Sequence, residues 1–257
     1  VLAALLDLVI PPRCAGCDEP GSVACRACTA QLLRDPAPRP PDPPPPGLPE
    51  CWSATAYDGA ARRMILAFKE HGRTAVAPIL GACLAQVTAA ALTASAEWAD
   101  RGPRPVVLVP VPSARAASWK RGHDPVRAVS RAAAAELRTL GLPVMSAPML
   151  RQVRRVADQA GLSSTRRAAN LSGAFDVVPG RTGLLATLGS RGVVVVLVDD
   201  IVTTGSTLAE AARAIRLAGV RVPLAVTVAA TRRKDRQGRG RHAQGAGRRT
   251  MTESKDG

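Results

Sequence analysis

Aromatic side chains are nearly missing from this sequence, with three Trp, two Phe and one Tyr among 257 residues. So few rings leave little material for stacking on the bases of a single strand. Acids are scarce too, 20 Asp and Glu against 35 Lys and Arg, for a net charge of +15. That excess invites a nucleic-acid reading, but it serves phosphate-rich small molecules equally well. Part of it also sits in one place: from Thr231 onward there are nine Arg or Lys and three acids, so +6 belongs to a tail expected to be disordered. No apolar run reads as long enough to span a membrane. The opening VLAALLDLVI carries Asp7, has no basic leader and runs into Pro11-Pro12, which fits neither a signal peptide nor an anchor. The expectation is a cytoplasmic protein without membrane insertion, long enough for one main domain and a small accessory unit.

Against this background one stretch carries the chemistry. Residues 193–198 are an unbroken apolar run, too hydrophobic for a solvent face, which predicts a central parallel strand buried on both sides. The run ends in Asp199 and Asp200, then in the polar turn Thr203-Thr204-Gly205-Ser206-Thr207. Apolar residues at Leu208, Ala211, Ala212, Ile215 and Leu217 predict a helix stopped at Gly219. A helix start offers unpaired N–H groups and a positive dipole end, so residues 203–207 suit a phosphate, and Gly205 lets the backbone approach it. Carboxylates repel phosphate but accept from sugar hydroxyls, so Asp199 and Asp200 suit a ribose. A plain strand and helix with Ser206 as N-cap would explain Gly205 and Ser206, but not the paired acids before a double threonine. The stretch resembles the PRPP-binding motif of the type I phosphoribosyltransferases: two acids, two variable residues, then Thr-Thr-Gly-x-Thr.

Upstream, Cys14 and Cys17 form one Cys-x2-Cys pair, and Cys25 and Cys28 form a second after a seven-residue gap. This is the ligand pattern of a closed, structural four-thiolate zinc site, with Arg13 and Arg26 to offset its negative charge. Two disulfides or free thiols are the alternative, and a reducing compartment disfavours disulfides. Nine of the fourteen residues 36–49 are proline. They predict a stiff polyproline spacer that holds the knuckle off by up to ~40 Å at about 3.1 Å per residue. The domain reading is an apolar helix and knuckle in 1–35, a proline-rich linker in 36–50, a main domain in 51–231 and a basic tail in 232–257.

Within the main domain, Lys69, His71 and Arg73 gather around Gly72, either to neutralise phosphate or as a solvated helix end. Residues 106–109 predict another buried strand, followed by Pro110 and a basic loop with Arg115, Lys120, Arg121 and Gly122. Such a turn with cations suits pyrophosphate, although a merely basic surface loop has the same composition. Residues 151–175 are polar and arginine-rich. They read as a lid bringing Arg154, Arg155, Arg166 or Arg167 to bound phosphates, or as a helical hairpin with an exposed basic face. Cys51 and Cys83 read as core.

Several segments together resemble the ComF family of phosphoribosyltransferase-like proteins. They are Tyr57-x-Gly59 with Phe68 to Arg73, Val109 to Pro112 with Arg121-Gly122, the stretch from Gln159 to Phe175, and the element from Val198 to Thr207. The four-cysteine knuckle fits as well. The resemblance implies an α/β protein of type I phosphoribosyltransferase fold, a central parallel sheet flanked by helices, with a small N-terminal zinc-binding module. It implies PRPP with Mg2+, a nitrogenous acceptor of unknown identity, and for some members a link to competence, with DNA or a DNA-uptake helicase as partner. One departure stands out: where the family continues Arg-Gly-Phe-Asn-Gln, this chain has Arg121-Gly122-His123-Asp124-Pro125.

Overall fold

The computed structural model describes residues 11–95, 98, 100, 102–113, 124–154 and 170–231. Helix α1 (Arg26–Leu32) belongs to the cysteine module and is followed by the two-residue strand β1 (Ala37–Pro38). Then come β2 (Glu50–Ala56), α2 (Gly59–Lys69), a 3-10 turn (Thr74–Val76), α3 (Ala77–Ala94) and β3 (Val106–Pro110). The chain continues through α4 (Pro125–Thr139), β4 (Val144–Ser146), β5 (Leu150–Gln152), β6 (Phe175–Val177) and α5 (Thr182–Ser190). It closes with β7 (Val194–Val202), α6 (Ser206–Leu217) and β8 (Leu224–Ala230).

Six strands form one sheet in the order β1-β2-β8-β7-β3-β4, and β5 pairs with β6 as a separate antiparallel hairpin. All neighbours in the large sheet are parallel except β1 on β2. Strand β7 is therefore central, with β8 and β3 on its two sides. Its side chains alternate between two cores, as a period of two requires. Val194, Val196 and Val198 face the core shared with α2, α3 and α4, whereas Val195 and Leu197 face Leu185 of α5 and Leu208, Ala211 and Ile215 of α6. The uniformly apolar run thus has the cause expected for a strand covered on both faces. The fold is mixed α/β with a mostly parallel six-stranded sheet, as the sequence predicted.

The stretch 74–94 differs from the reading that no apolar run could span a membrane. Thr74–Ala94 is 21 residues and apolar enough to cross one by length and composition, but 56% of its most apolar window is buried inside the protein. Leu80, Cys83, Leu84 and Val87 of α3 lie in the main core. Gly81 lies so close to α4 that an added Cβ would come within 2.4 Å of Ala132 Cβ.

The proline-rich segment also differs from expectation. A local polyproline signature predicts stiffness, yet here the tract turns back onto the domain. Ala37 and Pro38 pair with Ser53 and Trp52, the Arg39 N–H donates to the Cys51 carbonyl (2.8 Å), and Arg216 of α6 donates to the Gly47 carbonyl. The knuckle does not stand off either. Cys14, Ala15, Cys28 and Leu32 share a core with Met64, Ile65 and Phe68 of α2. Arg63 donates to the Gly16 carbonyl, and Arg73 to that of Arg13.

At the start of α4 the departure from the family pattern has a local explanation. Asp124 is the N-cap, accepting from the Arg127 N–H (3.2 Å) and from Ser113 Oγ (3.3 Å), and Pro125 opens the first turn. Both are favoured there: a short carboxylate satisfies a free N–H, and proline lacks the donor that the first turn leaves unpaired.

Candidate functional site

Strand β7 runs further than the apolar run, so Asp199 and Asp200 lie inside the strand near its C-terminal end. Asp199 pairs in register with Thr227 of β8, and Thr227 in turn with Ser53 of β2. The two hydroxyls hydrogen-bond at 2.7 Å in full burial, which satisfies them at no cost in unpaired groups. On the other side, Val198 pairs with Pro110 of β3, and its carbonyl accepts from the Val111 N–H (2.9 Å). The acid pair thus sits at the middle of the sheet's C-terminal rim, where open α/β sheets present ligand crevices.

The two carboxylates have different surroundings. Asp199 Oδ1 accepts from the Asp200 N–H at 2.8 Å. Asp200 is 9% exposed, and its Oδ2 is buried with Lys69 Nζ at 2.7 Å, an ion pair whose alignment falls short of a hydrogen bond. Burial, then the adjacent Asp200 charge, push the Asp199 carboxyl up to about 8. Burial works against the Lys69 charge, but Asp200 and Asp199 outweigh it and hold the ammonium above the ordinary lysine range. Cys51 lies buried close by, and burial followed by the Asp199 charge pushes its thiol up to about 12, which fits a core residue rather than a nucleophile.

The raised Asp199 value carries a sign. The folded chain keeps a proton that the unfolded chain loses near the ordinary value of 3.8, so this group removes stability as pH rises from there toward about 8. Asp199→Asn keeps an acceptor for the Asp200 N–H and cannot ionise. Its melting temperature should exceed the wild type's at pH 9, with the gap closing by pH 4. A pH-independent gap, or a variant less stable at pH 9, would refute the assignment.

After β7 come Thr203, exposed, and Thr204, half-buried, then Gly205 at φ 73°. Helix α6 starts at Ser206, so Ser206 and Thr207 belong to its first turn and Gly205 is the N-cap, with no side chain capping it. Thr204 Oγ1 and Ser206 Oγ are hydrogen-bonded at 3.1 Å. The left-handed conformation suits glycine, and close approach requires it as well: an added Cβ would meet Pro41 Cγ at 2.9 Å and Leu48 Cδ1 at 3.1 Å. The proline-rich tract therefore forms a wall against the turn, a contact with no signature in the local sequence.

Of the other predicted residues, Arg115, Lys120, Arg121 and Arg166 lie outside the described residues, as do Arg155, Arg167 and His123. Arg154 is described: it donates to the carbonyls of Asn170 (2.7 Å) and Ser172 (2.8 Å), joining the outgoing and returning ends of the arginine-rich stretch. The hairpin β5–β6 lies at the same base, with Gln152 opposite Phe175.

The four thiols of Cys14, Cys17, Cys25 and Cys28 gather with their sulfurs all within 4.8 Å of one another. Tetrahedral zinc with bonds of about 2.3 Å places its sulfurs about 3.8 Å apart. Cys17 Sγ and Cys25 Sγ are 3.6 Å apart, compatible with that and far beyond a disulfide. Backbone N–H groups already face the sulfurs: those of Gly16 (3.3 Å) and Cys25 (3.2 Å) donate to Cys14, and that of Cys28 (3.4 Å) to Cys25. Burial opposes ionisation of Cys14, but the N–H groups of Cys25, Cys17 and Gly16 outweigh it and lower the thiol, whereas burial and the neighbouring cysteines raise that of Cys28. The cluster is compatible with structural zinc.

Comparison with known proteins agrees with this geometry. Residues 128–243 match the model of the phosphoribosyl transferase domain, so the acid pair, the turn and α6 lie within a domain of that type. The chain is also similar to Competence protein F of Haemophilus influenzae, 31% identical over 116 residues, which are 45% of this chain and 46% of that protein. The match thus spans about half of that relative's length. Residues 128–243 are thus similar to a phosphoribosyl transferase domain, and a four-cysteine cluster lies near the N-terminus.

Proposed function

We propose that this protein binds 5-phosphoribosyl diphosphate and transfers its phosphoribosyl group to a nitrogenous acceptor, releasing pyrophosphate. The observation that carries the reading is the placement of Asp199 and Asp200 at the rim of the central strand, directly before the glycine turn that opens α6. In this reading Asp199 and Asp200 accept from the ribose hydroxyls. The turn and first N–H groups of α6, with Thr203, Thr204, Gly205, Ser206 and Thr207, hold the 5′-phosphate. Arg115, Lys120 and Arg121 would draw off the departing pyrophosphate, and Arg154 and Arg166 would help exclude water around a ribosyl centre that becomes cationic. Carboxylate oxygens are suitable donors for Mg2+, which would supply positive charge to offset that of the phosphates. No covalent nucleophile is needed. A four-cysteine zinc cluster and two buried thiols, Cys51 and Cys83, suit a reducing, cytoplasmic setting.

The test is calorimetric titration of Mg2+ and PRPP into the wild type and Asp200→Asn. The variant should bind at least about tenfold more weakly, ~1.4 kcal/mol, with its fold and metal content intact. Equal affinity in the two proteins would refute the site, and pyrophosphate release that depends on an added base would identify the acceptor class.

A second reading, an accessory role in DNA uptake through DNA or a helicase partner, draws on the name of the relative and on exposed Arg13, Arg26 and Arg62 beside the cysteine module. DNA affinity that falls steeply with salt and is indifferent to Asp200→Asn would favour it.

A further inference from the structure

Lys69 plays no part in the reading from the motif, yet among the described residues it forms an ion pair with one of the motif's acids. It is the last residue of α2, where the negative end of the helix dipole favours a positive charge. Met64, Ile65 and Phe68 bury the same helix in the core, and Arg63 ties it to the cysteine module. Its ammonium is therefore positioned by the fold, 2.7 Å from Asp200 Oδ2, with about a third of its side chain exposed.

A buried carboxylate oxygen at Asp200 needs a counter-charge, since burying it unpaired would be costly. A lysine supplies one without any ligand. Asp200 Oδ2 has almost no surface of its own, so an incoming cation reaches that oxygen only after the ammonium leaves it. Lysine is well suited to such an exchange: it is a point charge on a flexible stem, able to swing away while its helix stays fixed.

We infer that Lys69 is the resident counter-ion of the acid pair, displaced from Asp200 when a divalent cation and sugar diphosphate enter, and then free to meet the diphosphate oxygens. The inference rests on the PRPP reading above, and it makes Lys69 an exchanging cation rather than a fixed structural partner. Two effects of opposite sign follow. Removing the ammonium relieves competition for the bare metal ion, and it also removes a cation from the anionic ligand.

The experiment compares wild type, Lys69→Met and Lys69→Arg in one buffer, with thermal melting to confirm folding. Mn2+ alone, followed by electron paramagnetic resonance, should bind Lys69→Met about tenfold more tightly than wild type, whereas PRPP with Mg2+ should bind it about tenfold more weakly. Lys69→Arg should keep Mn2+ binding weak, and it supplies the comparison with wild type if the methionine variant does not fold. Unchanged or weaker Mn2+ binding in Lys69→Met, tighter Mn2+ binding in Lys69→Arg, or unchanged PRPP affinity in Lys69→Met would each overturn the exchange. If wild type bound no PRPP while Lys69→Met still gained Mn2+ affinity, the PRPP reading would fail and the counter-ion role at Asp200 would stand.

Discussion

Stripping metal from the four-cysteine cluster should lower the melting temperature of the whole chain, not of the first thirty-odd residues alone. The cluster holds α1 against α2, and Cys14, Cys28 and Leu32 are 1%, 4% and 0% exposed in the core that also contains Met64 and Phe68. Losing a buried leucine's contacts alone costs about 2–5 kcal/mol. Releasing the knuckle uncovers that side chain and its neighbours together, so at least ~3 kcal/mol is expected. For a domain of this size each kcal/mol shifts the midpoint by about 2–4 °C, which gives a fall of about 6–12 °C. Calorimetry of reduced protein with and without a strong zinc chelator measures this, alongside metal analysis expected to return about one zinc per chain. A separate low-temperature transition with the main one unmoved would show that the module is energetically independent. Far less than one zinc in freshly reduced protein would refute the metal itself.

The second large effect is expected from Gly205→Ala, the smallest change possible at the turn. A left-handed backbone costs an L residue about 1–2 kcal/mol. The new methyl also lies 2.9 Å from Pro41 and 3.1 Å from Leu48, and overpacking of this kind adds about 1–3 kcal/mol. Urea unfolding should therefore show a loss of about 2–5 kcal/mol. PRPP affinity should fall as well, because relief comes either by shifting the turn or by pushing the proline tract away from it. Leu48→Ala in the same background removes one of the two obstacles and should recover part of the lost stability. A stable Gly205→Ala variant with wild-type binding would mean that the tract does not press on the turn.

What the sequence made legible was local. An apolar run with no polar face could only be a doubly covered strand, and acids, hydroxyls and glycine in that order marked a rim turn opening a helix. The cysteine spacing was equally direct, because two Cys-x2-Cys pairs bring four sulfurs together wherever the module sits. Less legible was anything requiring contact between distant residues. Proline content predicts backbone stiffness but says nothing about what the stiff segment lies on, so a strand-forming wall was read as a spacer. Lys69 and Asp200 are far apart in the sequence, and no spacing rule pairs them. Asp124 and Pro125 stood out in the sequence only as a departure from a motif, whereas the geometry makes them a helix start.

The tract from Pro36 to Pro49 has one more effect, on the sheet's outer margin. Without β1, strand β2 would present a row of free N–H and C=O groups, the kind of edge onto which another chain's strand can add. The tract takes up the Cys51 carbonyl through Arg39, puts Pro38 in the edge strand and follows it with Pro40 and Pro41. Proline has no N–H to offer the next strand. The segment that walls the turn thereby ends hydrogen-bonded growth of the sheet on that side, a safeguard against self-association written in the same residues.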